Sequence, residues 1–123
     1  MLKKVITYKD YDDKERTETF YFNLSQAEVM EMELAIDGGL AKTIETITTT
    51  QDVKRIIELF KQIILKAFGE KSPDGKRFVK TQEIRDAFSQ TEAYSQLFVE
   101  LATDSDAATT FINAILPSPL TKN

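Results

Sequence analysis

A chain of 123 residues has room for one domain built on one shared core, and 41% hydrophobic with 29% charged residues is far from a disordered composition. With no Cys there are no disulfides or thiolate metal sites, and with no His the chain lacks both the usual proton carrier near neutral pH and the commonest metal ligand. A net charge of −4 argues against a nucleic-acid binder that displaces counterions with a basic stripe, and no apolar run approaches the ~20 residues needed to cross a bilayer.

The N-terminus, Met1-Leu2-Lys3-Lys4-Val5-Ile6, turns polar by Tyr8 and lacks the apolar centre of a signal peptide, so the expectation is a protein that stays in the cell that makes it. Val5, Ile6 and Tyr8 form one β-favouring run, and Phe20, Tyr21 and Phe22 form a second. Lys9 to Arg16 between them is polar, which predicts a β-hairpin over residues 3–23 with a charged tip. An isolated hairpin is marginal in water, so its aromatic face must pack on something else, and helices are the expected cover.

Leu24-Ser25-Gln26-Ala27-Glu28-Val29 holds a capping box, Ser25 with Glu28, and a hydrophobic staple, Leu24 with Val29. The helix it opens carries Val29, Met30, Leu34 and Ile36 and should end at Asp37-Gly38-Gly39, where glycine offers the left-handed conformation. Leu40, Ile44 and Ile47 predict a short second helix before Thr48-Thr49-Thr50. Val53, Ile56, Ile57, Phe60, Ile63, Ile64, Ala67 and Phe68 then form the steadiest apolar stripe, with Leu59 and Leu65 off it and Gly69 as the stop. Glu70 to Arg77, around Pro73-Asp74-Gly75, reads as an exposed loop.

Thr81 caps a short helix with Ile84, Ala87 and Phe88. Ser89-Gln90-Thr91-Glu92 reads as a capping box opening a helix with Tyr94, Leu97, Phe98 and Leu101, either continuous with its predecessor through a kink or separate from it. Thr103 to Asp106 repeats the capping logic before Ala107, Ala108, Phe111, Ile112, Ile115 and Leu116, and Pro117 and Pro119 stop the last helix. The expected fold is α+β, mainly α: an N-terminal β-hairpin packed on about five helices. Residues 1–116 form a single domain, with helices over 25–116 and a flexible tail at 117–123.

Asp10, Asp12 and Asp13 crowd the hairpin tip, but Lys14 sits where an EF-type loop needs its third ligand, so a solvated turn is the expectation. Asp104 and Asp106 suit the first turn of a helix, where carboxylates complement the dipole. Lys71, Lys76, Arg77 and Lys80 gather a basic group that Glu70 and Asp74 dilute. No glycine-rich phosphate loop, metal-ligand spacing or nucleophile and base pair occurs, so neither an enzyme nor a cofactor is expected. Several amphipathic helices and an aromatic hairpin in so short a chain leave apolar surface for a partner, with Met30, Leu59, Leu65, Phe111, Ile112 and Ile115 as candidate contacts against the alternative that all are core.

Thr17-Glu18-Thr19-Phe20-Tyr21-Phe22-Asn23-Leu24-Ser25, Met32-Glu33-Leu34 with Asp37-Gly38-Gly39-Leu40, Gly69 to Phe78, Ala87 to Tyr94 and Glu100 to Asp104 together resemble small proteins of tailed bacteriophages and prophages, of the tail assembly chaperone type found mostly with Gram-positive hosts. The resemblance spans residues 3–116. It implies a non-catalytic protein that binds the phage tape-measure protein in the host bacterial cytoplasm, aids assembly of tail-tube subunits around it, and leaves before the virion is mature. Contacts with the major tail protein and self-association are further implied partners. It also implies a longer frameshifted form, for which the tail at 117–123 suits the extension point. Two other readings stand beside it: a structural tail completion or connector protein of the virion, and a small phage effector that inhibits a host defence protein.

Overall fold

The computed structural model describes residues 1–35 and 53–117, together with positions 39, 42, 45 and 49. Among them the chain runs β1 (Leu2–Lys9), β2 (Glu15–Phe22), α1 (Gln26–Ala35), α2 (Val53–Ala67), β3 (Phe68–Lys71), β4 (Phe78–Val79), α3 (Gln82–Ser89), α4 (Glu92–Thr103) and α5 (Ser105–Ile115). The fold is α+β and mainly α, with the hairpin and five helices among the described residues. The short helix expected around Leu40, Ile44 and Ile47 and the tail beyond Pro117 lie outside the described residues.

β1 and β2 pair antiparallel from Leu2↔Phe22 to Lys9↔Glu15, a register that puts Ile6, Phe20 and Phe22 on one face. The tip is closed by Asp10, whose carboxylate accepts from the Asp12 and Lys14 amides at 2.9 and 3.0 Å, while Asp13 takes a φ of 61°. The Arg16 guanidinium and those amides hold the Asp10 carboxyl below the usual carboxylate range. The Asp10 carboxylate therefore builds the turn.

The hairpin is part of a larger sheet. β2 also pairs with β3 through Tyr21↔Gly69 and Phe22↔Phe68, and β3 pairs with β4, giving a four-stranded antiparallel sheet in the order β1-β2-β3-β4. Two sequence expectations are corrected here. Phe68 is not the last residue of the long helix, which ends at Ala67, and residues 70–77 are not a simple exposed loop but the end of β3 with a tight β3–β4 turn. Helical spacing continues through Phe68, but its ring gains more by joining the aromatic residues of the sheet. The turn is fixed by Ser72 and Asp74: the Ser72 hydroxyl donates to Asp74 at 2.6 Å and accepts from the Arg77 amide, while Gly75 takes a φ of 74°. Gly69 is required by close approach. A Cβ there would lie 2.7 Å from the Phe78 ring and 2.9 Å from the Val79 carbonyl oxygen.

Caps delimit the helices. The Ser25 hydroxyl accepts from the Glu28 amide at 3.1 Å and Glu28 accepts from the Ser25 amide at 2.9 Å, the reciprocal box expected. Thr81 caps α3 through the Ile84 amide. α3 and α4 are two helices, and the cap of α4 is Thr91, accepting from the Tyr94 amide. Ser89 instead closes α3, its hydroxyl donating to the Asp86 carbonyl, so the box expected at Ser89 is displaced by two residues. Asp104 caps α5 through the Asp106 and Ala107 amides. In α2 the core face is Leu59, Phe60, Ile63, Ile64 and Ala67; Leu59 is buried and Ile57, expected on the stripe, is partly exposed.

The sheet's inner face and the helices meet in a chain of rings. Phe22, fully buried, lies 5.7 Å from Phe68, 5.8 Å from Phe88 and 5.3 Å from Phe111 between centroids, and Phe68 stacks on Phe88 at 4.0 Å. Phe88→Ala should therefore cost about 3 to 5 kcal/mol, read as a shift of the urea midpoint with an unchanged slope. Gly69→Ala should cost roughly 1 to 3 kcal/mol through the forced displacement of Phe78, and a neutral result would show that β4 moves aside freely.

Candidate partner-binding surface

Helix α1 is fastened at its first turn. Its first turn carries the Ser25–Glu28 box, and Lys80, which follows β4, reaches across to it: the ammonium donates to the Asn23 carbonyl at 2.6 Å and to the two Glu28 oxygens at 2.9 and 2.7 Å. All three donors of Lys80 are used. Sequence reading placed Lys80 in a surface basic group; the side chain is instead turned inward and only 9% exposed. Burial pushes the Glu28 carboxyl up, but the hydrogen bonds from Lys80 and the Ser25 amide together outweigh it and hold the group below its ordinary range. Burial dominates at Lys80 and depresses its ammonium, with Glu28 opposing the shift. The preceding Leu24 amide donates to the Ile115 carbonyl at 2.9 Å, tying the entry of α1 to the end of α5.

Beyond this anchor α1 buries little. Met32 faces the core and Val29 packs partly against it. Met30 and Leu34, one helical turn apart, point the other way and are 63% and 90% exposed. Glu31 and Glu33, both exposed, flank them. The result is an apolar strip with an acidic border, presented by a helix whose first turn is held in place.

Of the six candidate contacts named from the sequence, Met30 stands at the surface. Leu65 is half buried, and its carbonyl accepts from the Arg85 guanidinium at 3.1 Å. Leu59, Phe111, Ile112 and Ile115 are buried in the core, each 5% exposed or less. α5 offers no apolar face to a partner through these three residues because the sheet and α4 already cover it. Leu34 was not among the candidates, although it stands four residues after Met30 in a helix whose phase the capping box fixes. Among the described residues no group of three or more acidic side chains is arranged to hold a metal ion, and no helix is long and apolar enough to cross a membrane.

The Glu28 shift sets a pH dependence. A carboxyl depressed in the folded state contributes stability that is fully present above its unfolded value, about 4.3, and is lost as pH falls through the lower folded value. Urea midpoints of the wild type and of Glu28→Gln should therefore differ most near neutral pH and converge as the solution is acidified below about pH 4. Lys80→Ala should cost roughly 2 kcal/mol at neutral pH, because it removes the Lys80 donor from the Asn23 carbonyl and leaves the Glu28 carboxylate with the Ser25 amide alone.

No curated protein matches the chain, and no solved structure does. The model of the phage tail assembly chaperone family, in contrast, matches residues 1–123, the full length given. A small α+β fold with a capped helix that exposes apolar side chains is consistent with a protein that handles other proteins, and by that full-length match this chain belongs to the phage tail assembly chaperone family.

Proposed function

We propose that this chaperone binds the tape-measure protein of its phage, and that the Met30–Leu34 strip of α1 is the contact. What supports this reading, beside the family, is the exposure of those two side chains on a helix that is fastened at its first turn. Nearly the whole Leu34 side chain lies in water, which has a cost unless the strip is covered during function. Methionine adapts its shape to different apolar partners, and a strip one turn long matches an apolar helical segment of a client laid across it. The exposed Glu31 at the border favours a client whose apolar segment is flanked by a basic residue.

In this reading the protein works without catalysis in the host bacterial cytoplasm, as one domain over residues 1–116. It holds client segments apart until tail-tube subunits assemble around them, and it does not remain in the mature virion. Contact with the major tail protein and self-association would accompany that role.

Co-expression with the tape-measure protein tests it. The client should become soluble and co-purify with the wild-type chaperone. The double variant Met30→Asp, Leu34→Asp should lose about tenfold or more of the captured client while keeping the wild-type urea midpoint, because neither side chain is core. Leu59→Asp should unfold the protein and serves as the contrast. A client that stays insoluble beside well-folded wild-type chaperone, or that is captured equally by the double variant, removes the proposal. Recovery of the protein from purified virions would instead favour a tail completion or connector role.

A further inference from the structure

We infer that the gap between β2 and β3 is a docking slot for an extended peptide segment of a partner protein, one that carries a lysine or arginine. The slot is separate from the α1 strip and does not depend on it.

The backbone comes first. Among the described residues the pairing of β2 with β3 is Tyr21↔Gly69 and Phe22↔Phe68, and it does not continue to Thr19 and Lys71. Hydrogen-bonded and non-bonded pairs alternate along an antiparallel ladder, so the direction of each backbone group can be worked out. The Asp10 amide donates to the Lys14 carbonyl at the hairpin end, which makes Arg16, Glu18, Phe20 and Phe22 the residues of β2 bonded to β1. Thr17, Thr19 and Tyr21 therefore turn their N–H and C=O groups to the other side. The Asn23 amide donates to the Ala67 carbonyl, which fixes the same phase from the β3 side: Tyr21 is satisfied by Gly69, while Thr17 and Thr19 face the gap. Across it, the Ser72 amide donates to the Arg77 carbonyl, so Glu70 bonds to β4 and Lys71 presents its backbone to the gap. The β2–β3 register stops at Tyr21↔Gly69, so among the described residues Thr17, Thr19 and Lys71 have no strand pairing on this side. Unpaired strand edges are templates for an added strand.

A hollow of about 550 Å³ is lined by residues 18–21 of β2 and 68–71 of β3, where the pairing of the two strands ends. Glu18, Phe20, Phe68 and Glu70 also line a second hollow of about 370 Å³, which has Ile84, Ala87 and Phe88 of α3 on its other side. Successive side chains of an inserted strand would point alternately to solvent and into this second hollow.

Charge decides what enters. The inner hollow is rimmed by Glu18, Glu70 and Glu83 and has no Lys or Arg in its lining. Glu18 is engaged by the Tyr8 hydroxyl and by Arg16, whereas Glu70 and Glu83 have no ion pair among the described residues. An apolar shaft of Phe20, Ala87 and Phe88 leading to carboxylates suits one long basic side chain, its methylenes on the rings and its charge at the rim. Strand hydrogen bonds would give affinity and the basic residue would give register.

The experiment uses the full chain, isotopically labelled, and the peptide acetyl-Thr-Val-Thr-Lys-Thr-Val-amide as probe. In the free protein the amides of Thr17 and Thr19 should exchange with solvent far faster than those of Glu18 and Phe20. Adding the peptide to about 1 mM should shift the resonances of residues 17–20, 70–71 and 83–88 and leave those of α1 unmoved. Replacing the peptide lysine by glutamate, N-methylating alternate peptide residues, or the protein variant Glu70→Gln, Glu83→Gln should each weaken binding by about tenfold. Slow exchange at Thr17 and Thr19 in the free protein overturns the inference, because the edge is then already filled. So does concentration-dependent protection of those amides without peptide, which would assign the slot to a second copy of the chain. Equal binding of the lysine and glutamate peptides, or no shift at these residues, overturns it as well. Failure of tape-measure capture by the α1 strip leaves each of these readouts unchanged.

Discussion

Phe22 sits where every layer of this protein meets. It ends β2, pairs in register with Phe68 of β3, and places its ring against Phe88 of α3 and Phe111 of α5. A two-stranded hairpin cannot hold itself together in water, and the short helices α3 and α5 are below the length at which isolated helices persist. Each needs a surface that another element supplies, and the ring cluster around Phe22 supplies it to all of them. The Phe68 and Phe88 stack at 4.0 Å is the tightest part of that cluster and explains why the chain leaves helical geometry at Ala67.

Helix α4 distributes this packing to the rest of the fold. Its buried face of Ala93, Leu97 and Leu101 runs between β1, α2 and α5. Polar contacts reinforce the arrangement at the rim: Lys4 pairs with Glu100 at 3.3 Å and Gln96 donates to the Thr7 carbonyl at 3.0 Å. The latter satisfies a backbone acceptor on the outer edge of β1, so α4 covers that edge of the sheet. The opposite margin of β2 has no such cover beyond Tyr21 among the described residues, and the contrast between the two edges is what makes the β2–β3 gap distinctive.

α1 follows a different logic. It is joined to the body by hydrogen bonds at its first turn and by Met32, and its outer strip is apolar. In the proposed role, a helix held at its start by Lys80 and presenting methionine and leucine to water would accept a client without rearranging the core. Chaperone work requires a surface that binds apolar segments and also releases them, and a strip of two large side chains is small enough to permit both.

Much of this was written locally. Ser25 with Glu28, Thr81, and Asp104 with Asp106 announced their helix starts because a cap needs only side chains within three residues of the amides they serve. The α+β class, the hairpin and the broad helical stripe of residues 53–67 were legible for the same reason, since periods of two and near four report which side of an element is apolar. Tertiary structure decided the rest. Nothing local could show that Phe68 would join a sheet, because its partner Phe22 lies far away in sequence, or that Thr91 would displace Ser89 as a cap. Apolar identity could not separate Met30 and Leu34, which face water, from Leu59, Phe111, Ile112 and Ile115, which are core: which side of a helix is covered depends on what the other elements bring to it. Lys80 looked like a surface charge until the fold carried Glu28 and the Asn23 carbonyl to within reach of its ammonium. Sequence alone determined the hairpin and the helices around it, because capping and periodicity act over a few residues; the strands β3 and β4, and which faces remain open to a partner, were settled only by long-range packing.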